Sequence, residues 1–167
     1  MGRKPVLTYE NVYEHLKNGL TQNEIAHTEG VSKQAVAAFI KRYPELQTPR
    51  QLVAKHFPWQ VPAEMNFTSP YLRMRDHGEW WVTNGKGMSK YKIDRLRWWY
   101  RMMWKENVVL EFDPNIPPIE GVSNKGGFAY RPREESDENF LIRKNGYTHM
   151  TTEGEHIWVL PRLEDIP

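Results

Sequence analysis

Ser32-Lys-Gln-Ala-Val36 sets a hydroxyl, a cation and a carboxamide in succession at the head of an apolar-periodic run. A carboxamide carries an acceptor and donors, the set that pairs bidentately with the major-groove edge of adenine; an alanine methyl matches the methyl of thymine. On the first turns of a helix, Gln34 with Ala35 and Ala38 would meet base edges, flanked by Ser32. Lys33, Lys41 and Arg42 suit phosphate oxygens. Gln22, at the head of the preceding helix, offers an amide beside a helix N-terminus. Arg3 and Lys4 form a basic arm able to reach an adjacent groove.

A second concentration of chemistry is Arg95-Leu-Arg-Trp-Trp-Tyr-Arg-Met-Met-Trp104. It reads either as an aromatic, basic platform for stacked bases or as a helix with one buried and one charged face. His149, Glu153 and His156 are spaced to approach one another, but Gly154 interrupts them and no further ligand follows at metal spacing. There is no phosphate-cradling glycine motif and no nucleophile elbow. No catalytic residue, metal or cofactor is expected.

The elements that must position these residues are marked by caps and glycines. Thr8 precedes a short helix that carries Val12 and Leu16 on one face and ends near Gly19. Thr21-Gln-Asn-Glu24 is a capping box ahead of Ile25-Ala26, and Gly30 closes that helix in the left-handed region. Ser32 caps a third helix, from Lys33 to about Tyr43, stopped by Pro44. Two short helices joined by a tight glycine turn form a helix-turn-helix, with small Ala26 at the crossing and Val31, Val36 and Phe39 facing inward.

Thr48-Pro49 opens a short helix over 50–56 with Leu52 and Val53 on its apolar face, and His56 to Pro62 breaks it. The expected organisation is a helix-turn-helix domain over 1–46, a partly helical connector over 47–62, and a second, α+β domain over 63–167. The whole is mainly α with a small β component. In the second domain, Ser69-Pro70 starts a helix through Val82, and Asn84-Gly-Lys-Gly87 is a turn. Ser89 caps a long helix to roughly Glu106. On that helix Leu96, Trp99, Tyr100, Met103 and Trp104 fall with Ile93 on one apolar arc, and Lys90, Arg97, Arg101 and Lys105 form a stripe beside it. The core reading of the aromatics follows; Trp98 lies beyond the stripe and is left unassigned. Val108–Phe112 and Phe128–Tyr130 read as strands, joined by a long connection over 113–127 of the functional or mobile kind. Thr151 to Leu160 reads as a last helix.

Charge is partitioned along the 167 residues. Residues 1–68 carry net +2, residues 69–105 net +6 and residues 106–167 net −6. A basic block inside a chain of net +2 points to a polyanionic partner, and the acidic end to scaffold. Mean hydropathy is −0.75, and no apolar run nears the roughly 18 residues of a membrane span. The lack of cysteine excludes disulfides and thiolate chemistry and fits a reducing cytoplasm.

Together, Thr21-Gln-Asn-Glu-Ile-Ala26, Ser32-Lys-Gln-Ala-Val36, Arg73-Met-Arg-Asp-His-Gly-Glu79, Trp98-Trp99, Val109-Leu-Glu-Phe-Asp-Pro114 and Gly126-Gly-Phe128 resemble the immunity repressors of temperate mycobacterial phages over nearly the whole chain. The resemblance implies a helix-turn-helix that reads double-stranded DNA at an operator and at dispersed stoperator sites. It implies asymmetric sites bound by a monomer, and a repressor that silences an early lytic promoter, maintains lysogeny and confers superinfection immunity. It implies residence on DNA in the cytoplasm of the bacterial host.

A monomer on an asymmetric site needs a second contact surface, since a dimer's palindromic half-sites are not available to it. The basic block supplies the candidates: Arg73, Arg75, His77, Lys86, Lys90 and Lys92, with Arg97 and Arg101 as phosphate clamps and Asp76 as an orienting partner for an arginine. The other reading is a single-strand or RNA binder that uses the aromatic helix. A recombinase is disfavoured because the length leaves no catalytic domain.

Overall fold

A computed structural model describes residues 6–43 and 45–167. The basic arm at Arg3 and Lys4, and Pro44, lie outside the described residues. The described chain is mainly helical with one small sheet: α1 Tyr9–Lys17, α2 Gln22–Glu29, α3 Lys33–Arg42, α4 Pro49–His56, α5 Ser69–Thr83, α6 Lys90–Glu106, β1 Val108–Phe112, β2 Phe128–Pro132 and α7 Gly154–Ile157. It forms two compact units. One joins residues up to 55 with 79–88, and the other joins 56–78 with 89–167. Residues 47–55 of the expected connector thus belong to the first unit and residues 56–62 to the second.

In the first unit each helix begins where a side chain can satisfy the free amides of its first turn. Thr8 accepts from the Asn11 N–H at 3.2 Å, and Ser32 from the Ala35 N–H at 3.1 Å. Thr21 and Glu24 form both halves of a capping box. Gly30 closes α2 at φ +67°, and α2 packs on α3. Val12, Leu16, Ile25, Ala26, Val36, Ile40 and Leu46 are buried together, with Phe39 and Tyr43 packed half-buried against them. Phe39, expected inside, therefore sits at the core's edge, with its ring 4.9 Å from that of Tyr43.

Gly19 ends α1 at φ +80°, and a Cβ there would collide with the Lys86 carbonyl oxygen. The turn after α5 lies against this corner, where Lys86 Nζ reaches Asn18 Oδ1 at 3.2 Å. Gly19→Ala is expected to cost about 1–3 kcal/mol from left-handed strain alone, read as a lower urea midpoint. An unchanged midpoint would show that residue 19 bears no such strain.

The second unit is built on α6. Leu96, Trp99, Tyr100 and Met103 are buried, as the apolar arc predicts. Trp104 is a correction: it is 40% exposed, and its indole donates to the Pro161 carbonyl at 2.8 Å. Burial centres on the arc between Trp99 and Tyr100, so Trp104 and the half-buried Ile93 fall at its rim. β1 and β2 pair antiparallel, with Phe112 opposite Phe128. Trp59 packs on both phenyl rings, and Phe57 links Trp59 to the fully buried Trp158.

The connection over 113–127 is pinned, where a long loop could have been mobile. Gly127 N–H donates to the Ile116 carbonyl at 2.9 Å, and Ser123 Oγ donates to the Gly126 carbonyl at 2.7 Å. The final helix is shorter than expected. Only Gly154–Ile157 is helical, because Thr151 caps the Gly154 N–H and Trp158 turns inward as soon as the turn ends. The start of α5 also shifts: its first backbone bond runs from Leu72 N–H to the Thr68 carbonyl, one residue ahead of the expected cap at Ser69.

Candidate nucleic-acid interface

The candidate surface of the first unit is built on α3. Capping by Ser32 starts α3 at Lys33, and burial of Val36 and Ile40 fixes its rotation. Residues off that buried stripe then face outward. Ser32, Lys33, Gln34, Ala35, Ala37 and Ala38 are all exposed, as are Lys41 and Arg42 at the far end. The first turn of α3 carries no acidic side chain. Gln22 is half-buried at the start of α2. The sequence-predicted residues of this unit are therefore brought onto accessible surface together.

The basic block of the chain does not hold together in the same way. His77 is fully buried. Its Nε2 lies 2.6 Å from the Ile157 carbonyl, which can only accept, so Nε2 carries the proton; Nδ1 then accepts from the Tyr100 hydroxyl at 2.7 Å. Burial pushes this imidazole down to about 4, against the smaller opposing effect of the Ile157 hydrogen bond. His77 is thus a neutral core residue and leaves the set of contact candidates.

Arg73 leaves it too, because it is 7% exposed and its guanidinium lies 3.3 Å from Asp76. Burial pulls its pKa down and the Asp76 carboxylate opposes this. Asp76 does orient an arginine. Arg97, expected to clamp phosphate, is half-buried, bonded to Asp94 at 2.9 Å and to the Pro167 carbonyl. Lys90 reaches the same Asp94 at 2.9 Å but remains 90% exposed. Lys86 belongs to the first unit.

The other candidate cations of the second unit are divided between α5 and α6, and the sequence reading did not single out Arg95. Arg101 is exposed, and so is Arg95, whose guanidinium lies 4.4 Å from the centre of the exposed Tyr91 ring. Trp98, on the same helix, is 78% exposed. Arg75 is half-buried and bonded to the Tyr71 hydroxyl at 2.9 Å, and Lys92 is half-buried. Arg95 was missed because the helical projection places it away from the stripe of Arg97 and Arg101. Its signal was the arginine four residues after Tyr91.

The chain is 40% identical, over 156 residues, to the "Repressor-like immunity protein" of Mycobacterium phage L5; the match covers 93% of this chain and 85% of that protein. The chain belongs to the mycobacteriophage immunity repressors. No protein-family model matches it. The match extends over both units. Among the described residues, no three His, Asp or Glu side chains are grouped to hold a metal, and no helix is long and apolar enough to cross a membrane.

Proposed function

We propose that this repressor binds double-stranded DNA sequence-specifically, with α2 and α3 as a helix-turn-helix. It shuts off a phage promoter and thereby maintains lysogeny and superinfection immunity. The carrying observation is the exposed first turn of α3, where Ser32, Lys33, Gln34, Ala35 and Ala38 are accessible together behind a left-handed glycine turn. Its N-terminal turns are the part of such a helix that enters the major groove. Gln34 reads a base, while Gln22, Lys33, Lys41 and Arg42 hold phosphates.

The repressor acts as a monomer on an asymmetric site, with the second unit as the other grip. Arg101 leads that grip, with Lys90 on the same side of α6; Arg75, Lys92 and Arg95, the last added from the structure, are further candidates. Arg101→Ala is expected to weaken binding to cognate and scrambled duplexes alike and to flatten the dependence of log K on log salt by about one. A filter-binding salt series checks this; an unaltered slope counts against the contact.

A second reading rests on one observation: Trp98 and Tyr91 are 78% and 63% exposed. Open aromatics beside arginines also suit the stacking of single-stranded bases. Competition separates the two. With a duplex selected from a randomised pool by the full chain, its separated strands are expected to compete poorly. Equal competition by random single strands would overturn the duplex reading.

A further inference from the structure

We infer that a groove on the first unit, between the C-terminal half of α3 and residues 46–51, holds the sugar-phosphate backbone of one DNA strand, which makes Gln47 and Gln51 contact residues; this rests on the duplex-binding reading above. The groove measures about 490 Å³ and is open along one side. Its apolar lining is Ala37, Ile40 and Leu46, the last two buried. Its polar lining is Gln22, Lys41, Gln47 and Gln51. Every one of those side chains can present N–H donors, and no carboxylate lines the groove. Glu45, though exposed nearby, is not part of the lining.

The orientation of the Gln51 amide is determined by its neighbour. The Thr48 N–H donates to Gln51 Oε1 at 2.9 Å, and the Gln51 N–H donates to Thr48 Oγ1 at 3.2 Å. This is a capping box with glutamine in the place often taken by glutamate. With its oxygen engaged by the cap, the amide is left with its NH2 end to donate. Glutamate would cap α4 as well, but it would bring a negative charge to the groove. Glutamine at this position satisfies both the helix and an anion.

The occupant follows from charge and shape. An anionic group meets a cation and three carboxamides at the rim, and the C–H faces of a sugar meet the apolar lining. An open groove accommodates a continuous strand. Lys41 and Ala37 lie on the same helix as Gln34, so a strand contacted there would extend from the base-reading turn.

The test exploits the cap. Gln51→Glu in the full chain keeps the capping acceptor, so the thermal midpoint is expected to hold. Affinity for cognate and scrambled duplexes is expected to fall together, by about tenfold at low salt. Gln47→Glu, outside the cap, is expected to do the same should Gln51→Glu disturb α4. Ethylation interference supplies a second readout: phosphates whose ethylation blocks the unaltered chain are expected to lose part of that effect with Gln51→Ala. Both glutamate variants binding within twofold of the unaltered chain would overturn the groove. So would a loss confined to the cognate duplex, which would make these residues base readers. If the unaltered chain bound no duplex, the proposed function would fail first and the groove with it.

Discussion

Gln34→Ala is expected to weaken binding of the selected duplex by about 1–3 kcal/mol, roughly five- to 150-fold, and to relax preference at one base pair. Gln34 is exposed on the first turn of α3, two residues ahead of the buried anchor Val36 and so on the opposite side of the helix, and truncation leaves the core intact. The loss is therefore not one of folding. A bidentate carboxamide pair discriminates because a wrong base leaves a desolvated donor or acceptor without its partner. The measurement is a titration of the full chain and its variant against the selected duplex and all single-base variants of it. Equal losses on cognate and scrambled duplex would show that Gln34 holds the backbone and reads nothing.

The other large effect is on stability in acid. The unfolded chain binds a proton at His77 near pH 6.5, whereas burial holds the folded imidazole to about 4. As pH falls from about 6.5 towards 4, the unfolded state takes up the proton first and the folded state loses ground. At full extent this amounts to about 3 kcal/mol, a sizeable part of a domain's usual stability. Above about pH 6.5 the contribution is fully present. Protonation would also force Nδ1 to donate, so that the Tyr100 hydroxyl could no longer point its proton at the ring.

Asp137 acts in a lower window. Burial pushes its carboxyl up, but the Arg143 guanidinium at 2.8 Å and the Glu134 N–H more than reverse this. Its net depression means that its stabilisation is lost only as pH falls below the ordinary carboxylate range. Urea unfolding at pH 7.5 and pH 4.5 checks the His77 effect, with the ring's own titration followed by NMR. A His77 imidazole that protonates near pH 6 in the folded protein would refute it.

The caps, the glycine turn and the rotation of α3 were legible in the sequence because their causes are local. Thr21 and Glu24 lie three residues apart, Ser32 meets the amide of Ala35, and Gly30 is needed for one left-handed residue. The apolar arc of α6 was legible for the same reason, since period alone selects Leu96, Trp99, Tyr100 and Met103. The availability of each cation was decided elsewhere. Arg97 finds the Pro167 carbonyl, and His77 finds the Ile157 carbonyl, across separations of 70 and 80 residues. Arg73 and Arg101 look alike as basic residues of one block, yet one is buried against Asp76 and the other lies open. By itself the sequence determined the helices of the first unit, their caps and the repressor family, since these depend on neighbours within a turn or on matched motifs. Only the tertiary structure decided which charges face solvent, because desolvation and pairing depend on what the fold brings from far along the chain.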